Sequence, residues 1–128
     1  MDKLLALGRL FLGIPMLVFG VQHFMYPQLM ASLVPAWIPG HLFWAYFVGV
    51  ALLAAGISIL LDRFTQWAAT LLGIMILSFV LLIHLPMQIE HHWKRNEVTN
   101  MFTDLGLSGG ALLLAKSARQ EERRKAKT

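Results

Sequence analysis

LFLGIPMLVFGVQHFMYPQLMASLVPAWIPGHLFWAYFVGVALLAAGISILL, residues 10–61, carries no Asp, Glu, Lys or Arg between Arg9 and Asp62. A second uncharged run lies between Arg63 and Glu90. Crossing about 30 Å of hydrocarbon takes roughly 20 mostly apolar helical residues. The first run therefore holds two spans and the second holds one. Composition points the same way: hydrophobic residues make up 57% of the chain and charged residues 14%, with a mean hydropathy of +0.61. A soluble domain carries about a quarter charged residues, so this chain lacks the polar surface to stay dispersed in water. Its 128 residues predict one domain.

Proline, glycine and charge set the expected boundaries. The chain is read as all-α, an integral membrane four-helix bundle, with helices at about 3–25, 41–61, 65–86 and 101–118. Lys3 followed by Leu4–Val18 has the flavour of a signal peptide. However, no small-residue cleavage site follows and the apolar run continues, so a permanent first span is expected. It should end near Tyr26-Pro27, because proline disfavours helix in the residue before it. The connector from Pro27 to Gly40 is too apolar for a water-exposed loop and is expected at the interface or folded over the bundle, with Trp37 at headgroup depth. Asp62-Arg63 reads as a tight polar turn, and the third helix is expected to stop at Pro86. The fourth is marginal alone and needs the bundle. Residues 119–128 form a basic tail that frays or extends it.

Charge orients the bundle. With both termini on one side, that side holds Lys3, Arg9, Arg63 and the six cations from Lys116 to Lys127, nine of the eleven Lys and Arg residues. The excess of cations on cytoplasmic loops then predicts cytoplasmic termini in a multi-pass inner (cell) membrane protein. The pI near 9.9 comes from that tail, so anionic lipid, not nucleic acid, is the expected partner. There is no cysteine, which excludes disulfides, thiolate chemistry and Cys-ligated clusters. A redox role would have to rest on a bound cofactor or a partner protein.

This topology brings ionisable side chains to one leaflet. His23 ends the first helix, His41 opens the second, His84 closes the third and Asp104 sits in the first turn of the fourth. His84, Gln88 and His91 share a face if the helix persists past Pro86. Histidines at helix ends commonly sit at headgroup level among aromatics. Against that stands the tendency of intramembrane ionisable residues to face a bundle interior or cavity. A ligand pocket built from His23, His84 and Asp104, with Gln22, Tyr26, His41 and Gln88 nearby, would suit a quinone headgroup or a proton relay. Imidazole ligation of haem or metal is not expected, since HxxxQxxH is no recognised metal signature, and the cofactor stays open. Asp104 could equally cap its helix.

At the other end, Arg9, Gly13, Gly20 and His23 fall on one stripe of the first helix. Arg9 either snorkels to phosphate while the glycines seat a neighbouring helix, or is buried in an ion pair with an acidic residue. Small residues recur at contact spacing in Ala45/Gly49, Ala51/Ala55, Ala69/Gly73 and Gly106/Gly110. They predict close helix packing, or a surface for a homo-oligomer.

The stretches Gly8-Arg9-Leu10-Phe11-Leu12-Gly13, Phe19-Gly20-Val21-Gln22-His23-Phe24, Gly49–Gly56 and Phe102–Ala115 resemble the DoxX-like (DoxX/DoxD) family of small membrane proteins. The likeness spans about residues 4 to 116. Where this chain has Asp104-Leu105, many relatives carry Asn-Leu. The resemblance implies a four-helix membrane fold tied to redox functions, with a thiosulfate:quinone oxidoreductase subunit among its namesakes. It assigns no catalytic residue, and whether the chain is an enzyme stays open. The expected function is a redox-associated subunit or a quinone- or small-lipophile-binding protein, working with a membrane or soluble redox partner. The alternative is a non-catalytic scaffold or a small-solute permease.

Overall fold

Helix ends fall largely where proline, glycine and left-handed residues put them. The computed structural model describes residues 3–90 and 92–128. Helix α1, Lys3–Met25, ends two residues before Pro27, and α2, Pro27–Ser32, starts on that proline, whose fixed φ and missing N–H suit a first helical position. Helix α3, His41–Leu60, follows Pro39 and Gly40, the latter at φ +74°. The turn after it reverses the chain through two non-glycine residues at positive φ, Asp62 (54°) and Phe64 (56°). Thr65, buried at the start of α4 (Thr65–Phe79), donates a 3.1 Å hydrogen bond to Asp62 Oδ1 and fixes that turn.

Pro86 does not end its helix. A proline removes one backbone donor and its ring crowds the carbonyl a turn earlier. The chain absorbs this in a π-helical turn, Val80–His84, in which Leu85 N–H reaches Val80 O, and continues as α5, Leu85–Glu90. The expected stop at Pro86 is thus replaced by a widened turn. His92 and Trp93, both at positive φ, then lead into α6, Arg95–Ala126. The fourth helix expected over 101–118 is therefore 32 residues long and takes in both the polar residues before it and most of the basic tail. The C-terminal flank, residues 119–126, is rich in Glu, Gln, Arg, Lys and Ala, which hold a helix without needing burial.

Three stretches are long and apolar enough to cross a membrane: Lys3–Met25, His41–Leu60 and the continuous Thr65–Glu90. Helix α6 is not of that kind, because Asp104, Lys116 and three glycines dilute its apolar stretch. All described secondary structure is helical. Outward faces carry Phe11, Val18, Phe47, Val50, Leu71 and Leu81 in the open. An apolar surface on that scale is foreign to a soluble monomer and suited to lipid.

The helices pack as two antiparallel pairs. In the first pair, α1 lies on α3 and α2 leans on α3; in the second, α4 lies on α6. The pairs meet through α3 against α4 and a lighter α1–α6 contact, around Met16, Leu52, Ile59, Leu72, Ile76 and Ala111. The α1–α3 seam is glycine against glycine: Gly13 faces Gly56 and Gly20 faces Gly49. A Cβ on Gly56 would lie 3.0 Å from Gly13 O, and one on Gly20 3.1 Å from Gly49 O. Backbones can come this close only where no side chain intervenes. On α6 the buried residues Met101, Ser108, Ala111, Ala115 and Ala118 recur at spacings of seven, three, four and three, and Ser108 and Leu112 meet Gly73 of α4.

Candidate functional site

The π-turn decides what α4 and α5 present to α6. From Ile76 the buried positions run through Val80 to Gln88, steps of four with His84 between. In an unbroken α-helix, three such steps would carry the side chain about 120° round the axis, at 3.6 residues per turn. The π-turn takes back part of that rotation, so His84 still reaches α6. Its Nε2 lies 2.9 Å from Asp104 Oδ2, with the two side chains 20% and 27% exposed. An ionised carboxylate only accepts, so the ring is held with its proton on Nε2, and Nδ1 is the ring atom left for a second partner. π-bulges of this kind recur at functional sites.

Two further polar groups line this end. Gln88 is fully buried, and neither its amide nitrogen nor its oxygen has a hydrogen-bond partner. The antiparallel register carries it towards the first turns of α6, on which α5 packs. On those turns Glu97 has a buried, unpartnered Oε2. Deeper, Ser108 Oγ donates a 2.8 Å hydrogen bond to Gly73 O across the pair. A buried amide without a partner costs about 1–3 kcal/mol, so Gln88 is held at a cost that packing alone does not explain.

The remaining expected site residues stand on the other helix pair. His23 donates from Nδ1 to Phe19 O at 2.8 Å, and its Cβ is the atom a side chain on Gly49 would strike. Gln22 is half-buried beside it, Tyr26 is exposed at the α1–α2 junction and His41 is the first residue of α3. Among the described residues, α1 makes no close backbone approach to the π-turn or α5. The structure thus joins His84 to Asp104, adds Gln88, and leaves His23, Gln22, Tyr26 and His41 across the gap between pairs. His91 lies outside the described residues. No group of three or more His, Asp or Glu side chains that could hold a metal is found among the described residues.

At the opposite end, Arg9, with a side chain 13% exposed, forms an ion pair with Asp62. Partial burial of Asp62 raises its pKa. Hydrogen bonds from Arg9 and Thr65, together with the positive charges of Arg9 and Lys125, outweigh that and hold it below its ordinary value. The pair ties α1 to the α3–α4 turn.

Sequence reading missed three features: the buried Glu97, Asp62 as the partner of Arg9, and the cross-pair bond of Ser108. Only Glu97 left a signal, since it lies seven residues before Asp104 and so on the same face of a helix. No curated protein and no solved structure matches this chain. A family profile described as a domain of unknown function, DUF8561, covers residues 12–107, which takes in the glycine seam, the π-turn, Gln88 and Asp104; the chain belongs to that family.

Proposed function

We propose that this protein is a multi-pass inner-membrane protein that binds the headgroup of a quinone or similar small lipophile at the His84 end. In this reading α6 is a fourth span, which crosses as the partner of α4, and both termini are cytoplasmic, as the distribution of cations favours. The likeness to DoxX-like proteins supports a redox-associated role beside a partner protein. The observation that carries the reading is the His84–Asp104 pair at 2.9 Å, set beside a fully buried Gln88 with no partner. Asp104 fixes the plane and tautomer of the imidazole, and His84 Nδ1 and the Gln88 amide are the groups left to meet polar atoms of a ligand. A quinone carbonyl accepts hydrogen bonds, which the Gln88 amide N–H would donate, and the hydroxyl of the reduced quinol would donate to His84 Nδ1; the apolar body suits neighbouring lipid-facing helices.

The test is extraction and mass spectrometry of quinones from the full chain purified in mild detergent. The expected result is a quinone retained by the wild type and reduced about tenfold or more in His84→Gln and Asp104→Asn, the loss of a hydrogen bond within a charged pair. Protein free of quinone, or retention unchanged in both variants, overturns the reading. Solute flux in liposomes that is abolished by the same variants would replace it with a permease.

A further inference from the structure

The Arg9 end holds a different feature. Along α6, Gly106, Gly110, Leu113, Ser117, Gln120 and Arg124 repeat at spacings of four and three. They form a stripe nearly opposite the one that packs on α4, since two residues turn an α-helix by about 200°. Where this stripe passes the start of α1, an apolar groove runs between Gly8 and Leu12 on one wall and Gly110, Leu113 and Ser117 on the other. A Cβ on Gly8 or Gly110 would meet nothing within 4 Å. These glycines hold space open, unlike the sealed glycines of the α1–α3 seam.

The groove does not stop at the end of its apolar walls. It shares Leu5 and Ser117 with a second, polar groove lined by Gln120, Glu121, Arg123 and Arg124. Among the described residues, neither Arg123 nor Arg124 is in an ion pair. Two uncommitted guanidinium groups thus stand at the mouth of an open apolar trough. Arginine is suited to phosphate because its planar fork donates two parallel hydrogen bonds. The neutral donors Ser117 and Gln120 sit between the apolar and charged parts.

We propose that this seam binds one anionic phospholipid. An acyl chain lies over Gly8 and Gly110, and the phosphodiester is held by Arg123 and Arg124. Glu121 works against a second anionic group and sets the phosphate towards the arginines. The inference rests on the membrane-spanning reading but not on the His84 site, and it assigns to the last turns of α6 a role beyond orienting the chain.

The experiment is native mass spectrometry of the full chain, delipidated in detergent and titrated with phosphatidylglycerol or phosphatidylcholine of identical acyl chains. Phosphatidylglycerol is expected to be retained at least about fivefold better, and R123Q/R124Q to lower that retention about 25-fold, from roughly a factor of five per basic residue at a lipid surface. R119Q/K127Q removes the same charge from the same segment outside the groove and is expected to keep binding. Gly110→Leu fills the trough and is expected to weaken retention without touching charge. Equal binding of both lipids, or equal losses in the two double variants, overturns the proposal. So does full retention in Gly110→Leu, which would reduce the site to a surface charge effect. Competition by glycerol phosphate at the same concentration as lipid would assign the arginines to a free anion, and a lipid-free dimer would assign the groove to a second copy. Circular dichroism and monomer recovery verify that each variant is folded.

Discussion

The two helix pairs solve the same packing problem with different chemistry. In the α1–α3 pair, four glycines bring the backbones together along the seam, and among the described residues no side-chain hydrogen bond crosses it. In the α4–α6 pair a single glycine, Gly73, is closed in, and polar groups take over: Ser108 to Gly73 O, then His84 to Asp104, then Gln88 with no partner. With all four helices in lipid, as proposed above, neither pair would be held by a hydrophobic drive between helices, because lipid is as apolar as leucine. Close backbone approach suffices for association, as the first pair demonstrates. The polar groups of the second pair are therefore not needed to hold helices together. If α6 crosses the membrane as proposed, polar groups of that sort mark function by default.

The comparison is most directly broken at the glycine seam. Gly56→Ala sets a Cβ 3.0 Å from Gly13 O and 2.8 Å from Leu17 Cδ2, and a backbone oxygen cannot step aside as a side chain can. The α1–α3 pair must separate, at an expected cost of about 3 kcal/mol, the upper part of the range for overpacking. Gly109→Ala is the matched control, because its Cβ would meet nothing within 4 Å. Exchanging glycine for alanine there should be neutral or gain up to about 1 kcal/mol from helix propensity. Denaturant unfolding in mixed micelles measures both. Equal effects would mean that the glycines are a compositional habit and not a seam.

How much of this was legible in the sequence differs between the pairs for a physical reason. The stripe of Arg9, Gly13, Gly20 and His23 could be read because a regular α-helix keeps its phase, and the structure sets Gly13, Gly20 and His23 against α3. The phase of α4 could not be carried past Pro86. Proline signals an interruption, but whether the helix stops or widens depends on what packs beside it, and here α6 packs against the π-turn. The length of α6 was hidden as well, since its ends are too polar for a hydropathy pattern and only the C-terminal one is helical by propensity. The partner of Arg9 was unreadable because Asp62 meets it only after the whole of α3 has returned the chain. At the candidate site, His84, Gln88 and Asp104 could be named from topology, but their separation from His23 and His41 depends on how the two pairs lean. Sequence spacing does not encode that.

The ion pair that ties the pairs at their other end gives the next largest effect. Asp62→Asn removes the counter-charge of a guanidinium that is 13% exposed, and an expected loss of about 2 kcal/mol follows, below the range for a fully buried pair because Asp62 is 33% exposed. Because the folded-state pKa of Asp62 is lowered from 3.8, its contribution is present in full above that value and is lost as pH falls through the lowered one. The difference between wild type and Asp62→Asn should thus be flat at neutral pH and shrink in acid. A difference that instead grew as pH fell would show that Asp62 is not the group holding Arg9.

The smallest effect tests the comparison at its centre. A double-mutant cycle on His84→Ala and Asp104→Ala isolates the energy that the pair contributes to folding, since the cycle cancels what each side chain does alone. Hydrogen bonds between membrane helices average about 0.6 kcal/mol in such cycles, and that is the coupling expected here, well below the cost of disturbing one glycine. A pair worth that little to stability, set next to an unpartnered Gln88, has to be explained by what it binds. A coupling of about 3 kcal/mol would reverse the argument. His84 and Asp104 would then be to the α4–α6 pair what the glycines are to α1 and α3, a device for holding helices together, and the case for a binding site at this end would fall with it.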